Sequence, residues 1–230
     1  MIEHGHATHT GLRREHNEDT YWADAEHGLW LVADGMGGHG RGEVASWTAV
    51  DAVVNAIRNG IGMADAIRRA GAAVASHAAQ QNSATPMGST LAALKLDDQG
   101  GYELARIGDS RIYRWQDGAL MRISRAVMDG ERAESDATPT TASTRVRATH
   151  ALGITPTIEL DAKPVTGRCA PGTQFLLCSD GLTEELDDRR IAAIVSRTDL
   201  AAQECVDQLV LAALDAGGRD NITVVLVRIR

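Results

Sequence analysis

The sequence predicts an α+β fold, and three observations carry that prediction. Apolar runs suited to strands alternate in blocks with segments of helical period, in the order strand, two helices, several strands, two helices, strand. Hydrophobic residues make up 43% of the 230-residue chain, yet aromatics are limited to one Phe, three Tyr and four Trp, so the core is expected to be closely packed Ala, Val, Leu and Ile. No repeat or long linker divides the chain, which makes one domain over residues 1–230 the expectation.

The first strand is expected at residues 29–33, where Leu-Trp-Leu-Val-Ala runs into Asp34-Gly35. Two amphipathic helices follow. In residues 43–58, Val44, Trp47, Val50, Val54 and Ile57 recur at steps of three and four, and Ala66, Ile67, Ala70 and Val74 repeat the pattern before His77. Strands are then predicted at 89–96, 102–107 and 111–115, separated by a Gly-rich turn at 97–101 and by Gly108-Asp109-Ser110, which together read as an antiparallel meander. Residues 126–147 are small, polar and without period, and read as a long loop or flap. Beyond it, 175–178 and Ile222–Ile229 are strands, while 188–196 and 201–214 carry helical spacing. No element is assigned before residue 29, and His4, His6 and His9 are expected to be solvated terminal histidines.

A net charge of −8 and a pI near 5.4 argue against nucleic acid or an anionic membrane as partner, because phosphate surfaces demand clustered Lys and Arg. Cys169, Cys178 and Cys205 form an odd set without C-x-x-C spacing, which reads as reduced intracellular thiols. With no leader-like start and no long apolar run, a cytoplasmic monomer is expected.

The chemistry lies in the aspartates. Asp34, Asp109 and Asp180 each follow an apolar strand, and Asp220 immediately precedes one, so short carboxylates are aimed at one sheet edge. Any one of them suits a turn, since Asp and Gly favour turns for local reasons. Taken together they read as a cation site, because converging carboxylates repel one another without a counterion. Oxygen donors with few histidines nearby favour Mg²⁺ or Mn²⁺ over Zn²⁺. The stretch from Gly35 to Gly40 also satisfies the G-x-G-x-x-G pattern of dinucleotide folds. Against that reading, Asp34 would face the pyrophosphate, and a second helix occupies the place of the next parallel strand.

Six short motifs stand in order: Gly11-Leu-Arg-Arg14-Glu-His-Asn-Glu18-Asp19, Asp34-Gly35-Met-Gly-Gly38, Gly88-Ser-Thr90, Gly108-Asp109-Ser-Arg111, Ser179-Asp180-Gly181 and Arg219-Asp220-Asn221. The set resembles the metal-dependent protein phosphatases of type 2C, especially compact bacterial members. The resemblance implies a four-layer αββα sandwich with two central antiparallel sheets, and two or three Mn²⁺ or Mg²⁺ ions at one sheet edge. It implies that Asp34 bridges two ions, that Gly35 offers its carbonyl to one, that Asp180 and Asp220 hold the other, and that Asp109 serves a third. Arg14 would grip the substrate phosphate, and Glu18 and Asp19 would orient waters behind the ligands. The implied reaction is hydrolysis of phosphoserine and phosphothreonine in proteins by a metal-bridging water, without a phosphoenzyme, opposing a Ser/Thr kinase. A catalytically weak phosphoprotein-binding module is the alternative.

The chain departs from the family pattern twice. Met36 stands where eukaryotic members carry a histidine proton donor, which leaves His39 as a candidate donor. The Asp-His-Ser segment usual after the Gly-Asp-Ser-Arg hairpin is absent, replaced by residues 123–130 and the polar stretch beyond.

Overall fold

The computed structural model describes residues 1–38, 40–77, 85–123, 150–160 and 162–230. The expected flap at 126–147 and His39 lie outside the described residues. One sheet runs in the order β1 (Ile2–His9), β11 (Ile222–Ile229), β10 (Gln174–Cys178), β7 (Arg111–Gln116) and β8 (Ala119–Arg122). The other runs β2 (Asp19–Asp24), β3 (Leu29–Met36), β5 (Leu91–Leu96), β6 (Gly101–Ile107) and β9 (Val165–Arg168), with the short β4 (Gly88–Ser89) pairing the end of β3. Every named pairing is antiparallel.

Helices α1 (Arg41–Arg58) and α2 (Met63–Ser76) cover the outer face of the second sheet. The four-residue α3 (Asp180–Thr183) follows β10, and α4 (Asp188–Val195) and α5 (Ala202–Ala216) cover the first sheet. The layers are therefore helix, sheet, sheet, helix, as the resemblance implied. Among the described residues no helix is long and apolar enough to cross a membrane.

Burial on both faces explains why the central strands read as continuous apolar runs rather than as alternation. On β3, Leu29, Leu31 and Ala33 pack under α1 and α2, while Trp30 and Val32 point between the sheets. On β11, Ile222, Val224 and Leu226 meet the opposite helix pair, while Val225 and Val227 meet Trp30 and Phe175 in the middle layer. Each such side chain removed from water contributes about 1.5–3 kcal/mol, so these two strands hold the sandwich together from its centre.

Three expectations change. The meander does not form: β5 pairs β6, but β7 crosses to the other sheet and pairs β10. The chain leaves β6 through Gly108 at φ 85°, a left-handed conformation that glycine adopts without strain, and buried Ser110 is held by Thr90 at 2.6 Å. The strand expected over 89–96 is split at Thr90, whose N–H donates to the Asp34 carbonyl at 2.8 Å. The N-terminal histidines lie on a strand rather than in a solvated tail. His4 and His6 are partly buried, their rings stack 5.8 Å apart, and they meet Trp30 and Tyr21, while His9 is exposed. Their neighbour Gly5 faces α5 so closely that a Cβ would lie 2.6 Å from the Gln203 backbone.

Candidate metal centre

The strand ends bring the aspartates to one end of the sandwich. Asp19 opens β2 and pairs directly with Asp34 near the end of β3. Asp180 begins α3 where β10 ends, Asp220 lies just before β11, and Asp109 sits in the turn between β6 and β7. Directly opposed residues of an antiparallel pair have Cβ atoms about 4.5–5.5 Å apart, so Asp19 and Asp34 alone place two carboxylates side by side.

Hydrogen bonds fix the backbone beneath them. The Asp34 N–H donates to Thr90 Oγ1 at 2.9 Å, and that oxygen contacts Ser110 Oγ, so the two loops bearing Asp34 and Asp109 share one hydroxyl pair. Ser179 Oγ donates to Asp19 Oδ2 at 2.7 Å and accepts from the Thr223 N–H at 3.0 Å, joining β2, β10 and β11. Arg219 lies against Glu185, its Nε 2.8 Å from Oε1, and so ties the approach to Asp220 to the end of α3.

Electrostatics set this cluster apart from ordinary turns. Burial and then repulsion from Asp19, Asp180, Asp109 and Asp220 hold the Asp34 carboxyl well above the usual carboxylate range. Burial likewise pushes Asp180 up to about 7, with Asp109, Glu184, Asp220 and Asp19 adding to it. Burial lifts Asp19 to about 6 against the pull of the Thr223 and Ser179 hydroxyls. Among the described residues the buried oxygens Asp19 Oδ1 and Asp180 Oδ1 find no hydrogen-bond partner.

A buried, unpartnered carboxylate oxygen is costly unless a cation neutralises it. The donor set is all oxygen, so it suits a hard divalent ion. Among the described residues no three His, Cys, Asp or Glu side chains close around one point. The all-oxygen donors and the unpartnered oxygens nevertheless fit the expected cations.

The remaining predicted residues divide. Arg14 is 53% exposed and pairs directly with Asp220, Nη2 to Oδ2 at 2.5 Å, so the guanidinium expected to hold phosphate rests on a carboxylate expected to hold metal. Gly35 packs against the first turn of α1: a Cβ on it would overlap the Gly42 carbonyl, and a Cβ on Gly42 would lie 2.6 Å from Gly35 O. Glu18 caps that same turn, its Oε1 accepting from the Gly42 N–H at 3.1 Å, while its carbonyl accepts from Gly35 N and Ser46 Oγ. Met36 pairs Gly88 across β3 and β4.

Sequence reasoning gave no role to Thr90, Ser110, Ser179, Gly42 or Asn221. Four of these stand inside the quoted motifs, directly beside or within two residues of an aspartate or of Gly88, and that adjacency was the available signal.

The protein phosphatase 2C family model matches residues 8–215. The chain is 32% identical over 224 residues to the serine/threonine protein phosphatase PstP of Mycobacterium tuberculosis, covering 94% of this chain and 43% of that protein, so it spans less than half of that relative's length. It is 32% identical over 237 residues to the protein phosphatase PhpP of Streptococcus pneumoniae, covering 96% of this chain and 94% of the other. The crystal structure of the PstP catalytic domain in complex with two manganese ions superposes with a TM-score of 0.82 at 28% identity, covering 100% of this chain and 99% of that one.

Proposed function

The chain belongs to the protein phosphatase 2C family, and on that premise we propose that it hydrolyses phosphoserine and phosphothreonine in proteins with Mn²⁺ or Mg²⁺. The observation that carries the reading is the convergence of Asp19, Asp34, Asp109, Asp180 and Asp220, two of them with a buried unpartnered oxygen. Asp34, Asp180, Asp220 and the Gly35 carbonyl would hold two ions, and Asp109 a third. When bound, the ions neutralise the carboxylates and raise the acidity of the attacking water.

The protein's own groups do the rest. Arg14 offers a planar fork suited to two phosphate oxygens, and its exposure leaves it accessible to a phosphorylated side chain. Its present contact with Asp220 means that phosphate binding must draw the guanidinium away from, or share it with, that carboxylate. Ser179 holds Asp19 against Asp34, and the Thr90 and Ser110 hydroxyls hold the Asp34 and Asp109 loops at fixed separation, so the site is organised before substrate arrives. The names of the relatives support phosphoprotein substrates. We place the chain in the cytoplasm as a monomer that opposes a Ser/Thr kinase; the three free cysteines support a reducing compartment, and the net charge of −8 argues against an anionic membrane as partner.

The test is hydrolysis of p-nitrophenyl phosphate and of a phosphothreonine peptide with Mn²⁺, with excess chelator, and with Mn²⁺ restored. Activity should vanish with chelator and return with metal. Full turnover in chelator would sink the reading, and turnover of the small ester without any phosphopeptide would remove the protein-phosphatase part of it.

A further inference from the structure

We propose that Asn221 is the positioning residue that sets Arg14 against the metal-holding carboxylates. The inference rests on the phosphatase reading of the same site. The segment from Thr10 to Glu18 forms an arm with Arg14 at its middle, and residues 12–16 are exposed. Asn221 is 6% exposed and spends its whole side chain on that arm. Its Nδ2 donates to the carbonyls of Thr10 and His16, both at 2.9 Å, and its Oδ1 accepts from the Glu18 N–H at 2.8 Å.

Both ends of the arm are thus closed on one amide. Only a carboxamide carries two donors and one acceptor in this arrangement, which makes the residue type part of the geometry. The neighbouring stretch adds to the same docking: Leu12 N–H donates to the Gly218 carbonyl at 2.6 Å, and Gly11, at φ 81°, lies against the Asp220 carbonyl. Asp220 itself reaches the tip of the arm through Arg14 while its Oδ1 accepts from the Asn221 N–H at 2.8 Å. The adjacent pair Asp220-Asn221 therefore fixes the base of the arm through one side chain and its tip through the other.

Asn221→Asp keeps the volume but turns both donors into acceptors facing carbonyls. At saturating Mn²⁺ it should raise KM for a phosphothreonine peptide about tenfold while changing kcat less than about threefold, because the loss falls on substrate gripping. In an Arg14→Ala background the same substitution should add no further rise in KM. Amide hydrogen exchange should speed up across residues 10–18, and in Asn221→Ser, which adds no charge beside Asp220, the Mn²⁺ activation constant should stay where it is.

An equal rise in KM with and without Arg14, a defect confined to kcat, or a Mn²⁺ constant shifted in Asn221→Ser would each overturn the proposal. Should Asn221→Asp fail to fold, Asn221→Ser carries the same cycle without the added charge, and failure of both to fold would make the role structural and overturn the proposal. If the unsubstituted chain hydrolyses nothing, the phosphatase reading fails instead, and unchanged exchange across the arm would separately refute the tie.

Discussion

At the scale of single residues, the site trades stability for charge. Asp34 stands opposite Asp19 and feels three further aspartates, so with metal removed its ionised form is held against repulsion. Asp34→Asn should therefore melt higher than the unsubstituted chain in chelator, by a few degrees for a gain of about 1 kcal/mol, yet lose the stabilisation that Mn²⁺ confers and nearly all hydrolysis. Thermal melts in chelator and in Mn²⁺ check this, and a lower melting point in chelator would show that the carboxylate makes a stabilising contact. Asp34, Asp109 and Asp180 were legible in sequence because each sits where an apolar run stops, and Asp220 because it sits where one starts. Thr90, Ser110 and Ser179 stood out only by their place in the quoted motifs, and what their hydroxyls hold was not legible, because their partners lie 20 to 160 residues away.

At the scale of elements, strands and helices with a strong apolar period were readable, and those without one were not. β11 was placed at its observed bounds because Val, Ile and Leu fill both its faces. α1 was placed to within two residues of its start, although its buried stripe is Ala45, Ala49, Val50, Val53, Val54 and Ile57 and the Trp47 expected in that stripe is exposed. β1, β2, β8 and β9 escaped notice because they are half-polar edge strands; β1 and β9 also pair with strands far away in sequence, whereas β2 and β8 close short hairpins with β3 and β7. The junction of β3 with α1 yields a prediction of its own. Gly42→Ala would drive a Cβ to 2.5 Å from Glu18 Cδ and 2.6 Å from Gly35 O, so it should destabilise by about 1–3 kcal/mol. It should also lower activity by moving Gly35 and Glu18, and a melt paired with Mn²⁺-dependent kinetics reads both; an unchanged melting point would show that the helix can shift aside.

The β2 end offers a pH test. Burial would raise the Asp24 carboxyl, but the His27 N–H, the His27 ring and Arg58 outweigh it and hold it down at about 2. An unfolded Asp titrates near ~3.9. The folded value is the lower one, so the stabilisation is complete above pH ~4 and is lost as pH falls toward 2. The melting-point gap between the unsubstituted chain and Asp24→Asn should be widest above pH ~4.5 and narrow below it. A gap that widens in acid would mean that the Asp24 cluster is not the source.

At the scale of the whole molecule, the layer order followed from the succession of elements, whereas the distribution of strands between two sheets did not. The turn at Gly108 carries the chain from β6 to the other sheet, where β7 pairs β10, and the Thr90 to Ser110 contact holds that turn in place. The pairing of β1 with β11 joins Ile2 to Ile229 and His9 to Ile222, and the arm bearing Arg14 closes on Asn221. Such contacts between the two extremes of the sequence form late and make for slow folding. They also bear on translation. A nascent chain still short of β11 can already lay α1 and α2 on their own sheet, but it lacks the strand that joins β1 to β10 and the Asn221 side chain that closes the arm, so its chemistry waits on the emergence of β11.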